Sequence, residues 1–143
     1  MKIIIDKSDL LKPLNHIQSV VERKNTIPIL SNVIISANDD KLSLSATDMD
    51  IDILEKINCS VINSGSVTVT AHILYDIVRK LSDGSEVEIE YNDGTASLTS
   101  NKSKFQLPVL PVEDYPTLSK GDFPISFKLT VGELSRLIDK TKF

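Results

Sequence analysis

The chain has no tryptophan, one cysteine and five glycines among its 143 residues, and aromatic side chains make up 5% of it. So few aromatics leave little material for the stacking platforms that grip single-stranded nucleic acid. The lone cysteine, Cys59, makes no internal disulfide and has no metal-ligating neighbours in sequence. It reads as a packed residue in a reducing cytoplasm. The scarce glycines form neither G-x-x-x-x-G-K nor G-x-G-x-x-G, so both phosphate-cradling loops are excluded. Long apolar runs are missing too. Ile3-Ile4-Ile5 is closed by Lys2 and Asp6, far short of a signal-peptide core or the roughly 20 residues that span a bilayer.

What is present is ordinary for a folded domain: 41% apolar and 25% charged residues, in a length close to the usual single-domain size of about 100–150 residues. The order of those residues is not ordinary, because the pattern repeats. Ile3 and Ile5 alternate as a strand, Ser8-Asp9 offers a helix cap, and Leu10, Leu14 and Ile17 follow at helical spacing. Val67, Val69, Leu74, Val78 and Leu81 repeat those apolar positions 64 residues later. Beyond each helix the offset becomes 54: Val33, Ile35, Ser43, Leu44, Ile51 and Ile53 match Val87, Ile89, Ser97, Leu98, Phe105 and Leu107. Asn38-Asp39-Asp40 and Asn92-Asp93-Gly94 supply hairpin turns between the paired strands.

The expected fold class is α+β, a duplicated β-α-β-β-β unit with two helices packed side by side on antiparallel sheet. A proline-rich connector, residues 107–116, follows and closes a first domain at residues 1–122. Phe127, Leu129, Leu134 and Ile138 then lie 124 residues after Ile3, Ile5, Leu10 and Leu14. Residues 123–143 therefore read as the truncated start of a second domain.

Catalytic readings find little support. Asp48, Asp50 and Asp52 suggest a calcium loop, but the sixth and twelfth positions counted from Asp48 are Ile53 and Cys59 rather than Gly and Glu. The expectation is a half-solvated strand with the acids on one face and Met49, Ile51 and Ile53 on the other. His16 and His72 stand in no nucleophile–base–carboxylate pattern. The reading is of a noncatalytic chain that needs no metal and no cofactor.

The charge is uneven. Its net value of −4 argues against a polyanion partner, yet residues 7–24 carry +2 and 71–81 carry +1, against −4 for 25–70 and −5 for 82–122. Basic side chains near helix C-termini also complement the helix dipole. The bias nevertheless recurs on both duplicated helices, as expected of one face turned to a polyanion.

With these features the chain resembles the bacterial sliding clamps, the β subunit of DNA polymerase III. The resemblance rests on Asp9-Leu10-Leu11-Lys12-Pro13-Leu14, Thr26-Ile27-Pro28-Ile29-Leu30-Ser31-Asn32, Leu42-Ser43-Leu44-Ser45-Ala46-Thr47-Asp48 and Leu110-Pro111-Val112-Glu113-Asp114-Tyr115-Pro116. It implies the DNA clamp fold and a cytoplasmic processivity factor that tethers the replicative polymerase in DNA replication. Two subunits would close head to tail into a homodimeric ring around duplex DNA, without sequence preference. It places DNA contacts at Lys24 and His72, with Arg79 at a further basic position. Lys12, Arg23 and Lys80 join them from their helix positions. His72 replaces the basic residue usual there, which weakens a phosphate contact at that point. The resemblance also gives Lys102, Lys104, Phe105 and Leu107 to the dimer interface. It assigns DNA polymerase III and the clamp loader to domains absent from this chain. The alternative is a stand-alone interaction module that binds a protein along a sheet edge without encircling DNA.

Overall fold

Strand gives way to helix with no intervening loop at two places, and these set the architecture. In the computed structural model, which describes residues 1–23, 26–116 and 124–142, β1 (Lys2–Asp6) runs directly into α1 (Lys7–Val20), and β6 (Gly65–Thr70) into α2 (Ala71–Lys80). The first copy continues through β2 (Asn32–Asn38), β3 (Lys41–Thr47), β4 (Asp52–Asn58) and β5 (Ser60–Asn63). The second continues through β7 (Glu86–Asn92), β8 (Thr95–Ser100), β9 (Ser103–Leu107) and β10 (Val109–Leu110).

The ten strands form two antiparallel sheets, β5-β1-β7-β8-β9 and β10-β6-β2-β3-β4, and each draws on both copies. β1 pairs with β7 of the second copy, and β6 pairs with β2 of the first. The last strand of each copy crosses to the other sheet, β5 onto β1 and β10 onto β6. One core joins the sheets to both helices through Ile3, Leu10, Leu14, Ile35, Leu44, Leu74, Val78, Ile89 and Leu98, all fully buried. Each contributes roughly 1.5–3 kcal/mol by leaving water.

Both hairpin turns form as expected. Asp39 and Asp40 have φ of 47° and 56°, and Asp93 and Gly94 have 49° and 76°, the doubly left-handed geometry of a two-residue turn that follows strand twist. The proline-rich connector enters the sheet only as the two-residue edge strand β10, where a missing N–H is tolerated. Tyr115 pins it further on: its hydroxyl donates to the Asn32 carbonyl at 3.1 Å and accepts from the Thr47 N–H at 3.1 Å.

Four expectations change. The first helix begins at Lys7, with Asp6 as its cap residue and no side-chain cap bond. Ser8 and Asp9 instead lie in its first turn, because β1 is already closed by the Lys7 N–H to Ser85 carbonyl bond of 2.9 Å. Residues 48–51 form a turn and not a strand. The Asp48 carboxylate accepts from the Asp50 and Ile51 N–H groups at 3.0 and 2.7 Å, Met49 has φ of 81°, and Met49 and Ile51 point to solvent.

That turn also shifts the match between the third strands. Leu44 faces Glu55 whereas Leu98 faces Phe105, so Glu55, not Ile51, is the counterpart of Phe105. Finally, residues 124–130 hold no strand, and Phe127 and Leu129 are exposed. A strand needs a paired neighbour to satisfy its backbone. The helix expected after it is present as α3 (Val131–Thr141), opened by a Thr130–Glu133 capping box. The boundary expected at residue 122 lies outside the described residues.

Candidate nucleic-acid interface

The two helices α1 and α2 pack against each other as well as on the sheets. Each buries one stripe, Leu10, Leu14 and Ile17 on α1 and Ala71, Leu74 and Val78 on α2. Lys12, Arg79 and Lys80 are exposed on these helices and Arg23 is exposed just beyond α1; they fall into a central group and two flanks.

Arg23 and Arg79 form the centre. Arg23, just beyond α1, is exposed, and its Nη1 lies 4.0 Å from Asp76 Oδ2. Arg79 in the last turn of α2 donates to Asp76 Oδ1 at 3.3 Å, and its guanidinium carbon sits 5.7 Å from the Tyr75 ring centroid, within cation–π range. Tyr75 in turn donates to Asn15 Oδ1 at 3.2 Å, which ties α2 to α1. One acid thus brings the two arginines together. Such exposed pairs contribute about 0–1 kcal/mol each, so both guanidinium groups remain exchangeable.

Lys12 lies on one flank, on the wall of a cavity shared with His16, Glu55 and Lys56. Lys80 lies on the other, beside Lys102. Lys24 lies outside the described residues. His72 is the correction among the six. It is 9% exposed and sits in the first turn of α2 between the helices, with Nε2 2.8 Å from the Val21 carbonyl. A ring that donates inward to the end of α1 does not present itself to a phosphate. Its Nδ1 is buried and has no hydrogen-bond partner among the described residues.

A second surface lies along β9, which among the described residues is an edge strand paired with β8 alone. Between α2 and this edge runs a groove of about 870 Å³ floored by Ile73, Ile77, Leu81 and Phe105 and rimmed by Lys80 and Lys102. Lys102 and Lys104 are exposed and Phe105 is half-buried. Leu107 departs from the expected interface set: at 4% exposure it belongs to the core, opposite Ala96 in the register. Sequence reasoning missed Ile73 and Ile77, although a signal was there. Their i, i+4 spacing beside Leu74 and Val78 makes α2 apolar over a wider arc than packing on one sheet requires.

Elsewhere the chemistry is structural. Lys7, 6% exposed, donates to the Leu81 carbonyl and to Asp83 Oδ1, both at 2.7 Å, and locks the start of α1 to the exit of α2. His16 Nδ1 meets Glu55 Oε1 at 2.6 Å and links α1 to β4. Burial and the nearby Asp40 carboxylate push the Cys59 thiol above its ordinary range, away from the thiolate that reactivity needs.

Residues 1–119 match the family model described as the N-terminal domain of the DNA polymerase III beta subunit. The beta sliding clamp of Caulobacter vibrioides is 46% identical over 145 aligned residues, which cover 100% of this chain and 39% of the relative. That of Rickettsia bellii is 34% identical, covering 100% and 38%. Among solved structures, pol III beta from Caulobacter crescentus superposes with a TM-score of 0.94 at 47% identity, over 99% of this chain and 38% of that one. The DNA polymerase III subunit beta of Pseudomonas aeruginosa gives 0.92 at 32%, over 97% and 38%. The chain thus spans about two fifths of the length of the curated relatives it matches.

Proposed function

The chain belongs to the DNA polymerase III beta subunit family, whose N-terminal domain it carries, and we propose that it works as one segment of a noncatalytic ring that encircles duplex DNA. In this reading the ring is a cytoplasmic processivity factor, residues 1–122 form its first domain, and residues 123–143 open the second. Further domains hold the polymerase and the clamp loader.

The observation that carries the reading is the convergence of Arg23 and Arg79 on Asp76 at the exposed surface of the paired helices, while segments 25–70 and 82–122, with their strands and turns, carry −4 and −5. A topologically linked ring needs only weak phosphate contacts, since tight or base-specific ones would oppose sliding. Lys12, Arg23, Lys24, Arg79 and Lys80 supply such contacts. His72 serves from behind, by holding the carbonyl of Val21 two residues before Arg23.

The β9 edge, with the groove of Ile73, Ile77 and Phe105, takes the second subunit, and Lys102 and Lys104 steer its approach. Pairing there would also cover an exposed strand edge, which is otherwise an aggregation hazard. The test is retention of the full-length subunit on DNA after loading. It stays on closed circles and escapes when the circle is cut; equal retention on both forms refutes encirclement.

A further inference from the structure

We propose that Asp76 is a built-in restraint on DNA grip, holding Arg23 and Arg79 in reserve so that the ring slides rather than sticks. The proposal rests on the reading that α1 and α2 face DNA. Asp76 stands between the two guanidinium groups, 3.3 Å from Arg79 and 4.0 Å from Arg23. The Arg79 side chain is also parked over Tyr75.

A phosphate that takes either arginine must therefore take it from an existing partner, and a carboxylate stays behind to repel the phosphate and recapture the arginine as the ring moves on. The exchange lowers both the depth of each phosphate contact and the barrier to leaving it. The fold does not require an acid at this place: the equivalent position on α1, 64 residues earlier, holds Lys12. Nor is the carboxylate a buried structural acceptor, since its side chain is 37% exposed and its ion-pair partners among the described residues are the arginines.

The experiment follows single full-length rings diffusing on stretched duplex DNA across a salt series, using wild type, Asp76→Asn, Arg79→Ala and the double variant. Asparagine keeps the size of the side chain and removes its charge. Exposed ion pairs of this kind set the expected slowing of Asp76→Asn at about two- to fivefold at low salt. The slowing fades as salt rises. Arg79→Ala diffuses faster than wild type, and in its background Asp76→Asn loses much of its effect, an interaction that a merely structural role for Asp76 does not produce. If Asp76→Asn diffuses like wild type while Arg79→Ala is faster, the restraint is refuted and the DNA-facing helices stand. If Arg79→Ala leaves diffusion unchanged at every salt concentration, both the restraint and the helix assignment fall.

Discussion

Replacing His72 by alanine separates a helix anchor from a phosphate ligand. The ring's Nε2 lies 2.8 Å from the Val21 carbonyl, so alanine leaves a buried acceptor unpaired, at a cost of about 1–3 kcal/mol. Loss of the imidazole from a site that is 9% exposed adds about 2 kcal/mol for the cavity. One contribution has the opposite sign: Nδ1 is buried with no hydrogen-bond partner among the described residues, and removing it relieves about 1–3 kcal/mol. The net expectation is a loss of about 2 kcal/mol, or about 6–10 °C in Tm for a domain of this size, measured by chemical and thermal denaturation. His72→Gln, which can still donate to Val21, recovers part of the loss, whereas His72→Phe fills the space without the donor and recovers less. His72→Arg is destabilised as well, since its charge has no place between the helices. The reasoning is refuted if alanine costs less than about 0.5 kcal/mol. It is equally refuted if His72→Arg is as stable as wild type and steepens the salt dependence of DNA binding by roughly 0.9 per added phosphate contact, because His72 would then be a DNA-facing position.

The residues of the proposed interface should split in the same way. Phe105→Glu lowers dimer affinity in sedimentation or light scattering with a smaller loss of Tm than Leu107→Ala, a core truncation that costs about 2–4 kcal/mol; equal Tm losses from the two would contradict the register. Tyr115→Phe removes the hydroxyl shared by Asn32 and Thr47 and should cost about 1–3 kcal/mol, read from the shift in denaturation midpoint. The Lys7 ammonium holds the Asp83 carboxyl below its ordinary range, by hydrogen bond first and by charge second. A depressed carboxyl contributes stability that is complete above the unfolded value of about 3.9 and is lost as pH falls through the folded value. Asp83→Asn should therefore lower Tm at neutral pH and converge on wild type in strong acid; a constant gap at all pH values would exclude the ion pair as the cause.

Much of the fold was legible because the duplication places each apolar residue twice. Alternation at Ile3 and Ile5, helical spacing at Leu10, Leu14 and Ile17, and their repetition 64 residues later carry the same physical demand for a buried face in both copies. Pairing between the copies was not legible, since β1 is equally able by pattern to join either sheet; the topology chooses β7. The match of the third strands went wrong at Asp48, whose carboxylate makes a local turn that strand periodicity does not register. The basic residues were found from segment charge, helix position and the family resemblance. Charge does not report that His72 points inward or that Asp76 holds two arginines, because both depend on how α1 meets α2.

In the proposed ring, the register of the two third strands bears on polarity. Among the described residues each helix flanks one sheet edge, α1 beside β4 and α2 beside β9, and equivalent positions line the two clefts: Asp9, Lys12, Pro13, His16 and Glu55 in one, Ile73, Asp76, Ile77, Lys80 and Phe105 in the other. Where the second copy places Ile73 and Phe105, the first places Asp9 and Glu55, and His16 closes on Glu55 at 2.6 Å. A hydrogen-bonded His–Glu pair in one cleft and an apolar floor in the other make two edges that do not suit the same partner. In the proposed ring a domain meets a different neighbour on each side, and a heterologous contact pairs unlike patches whereas an isologous one pairs a patch with itself. A duplicated unit with identical edges would favour self-pairing through either. The divergence of Glu55 from Phe105 removes that symmetry while the core, with Leu44 and Leu98 in the same place, retains it.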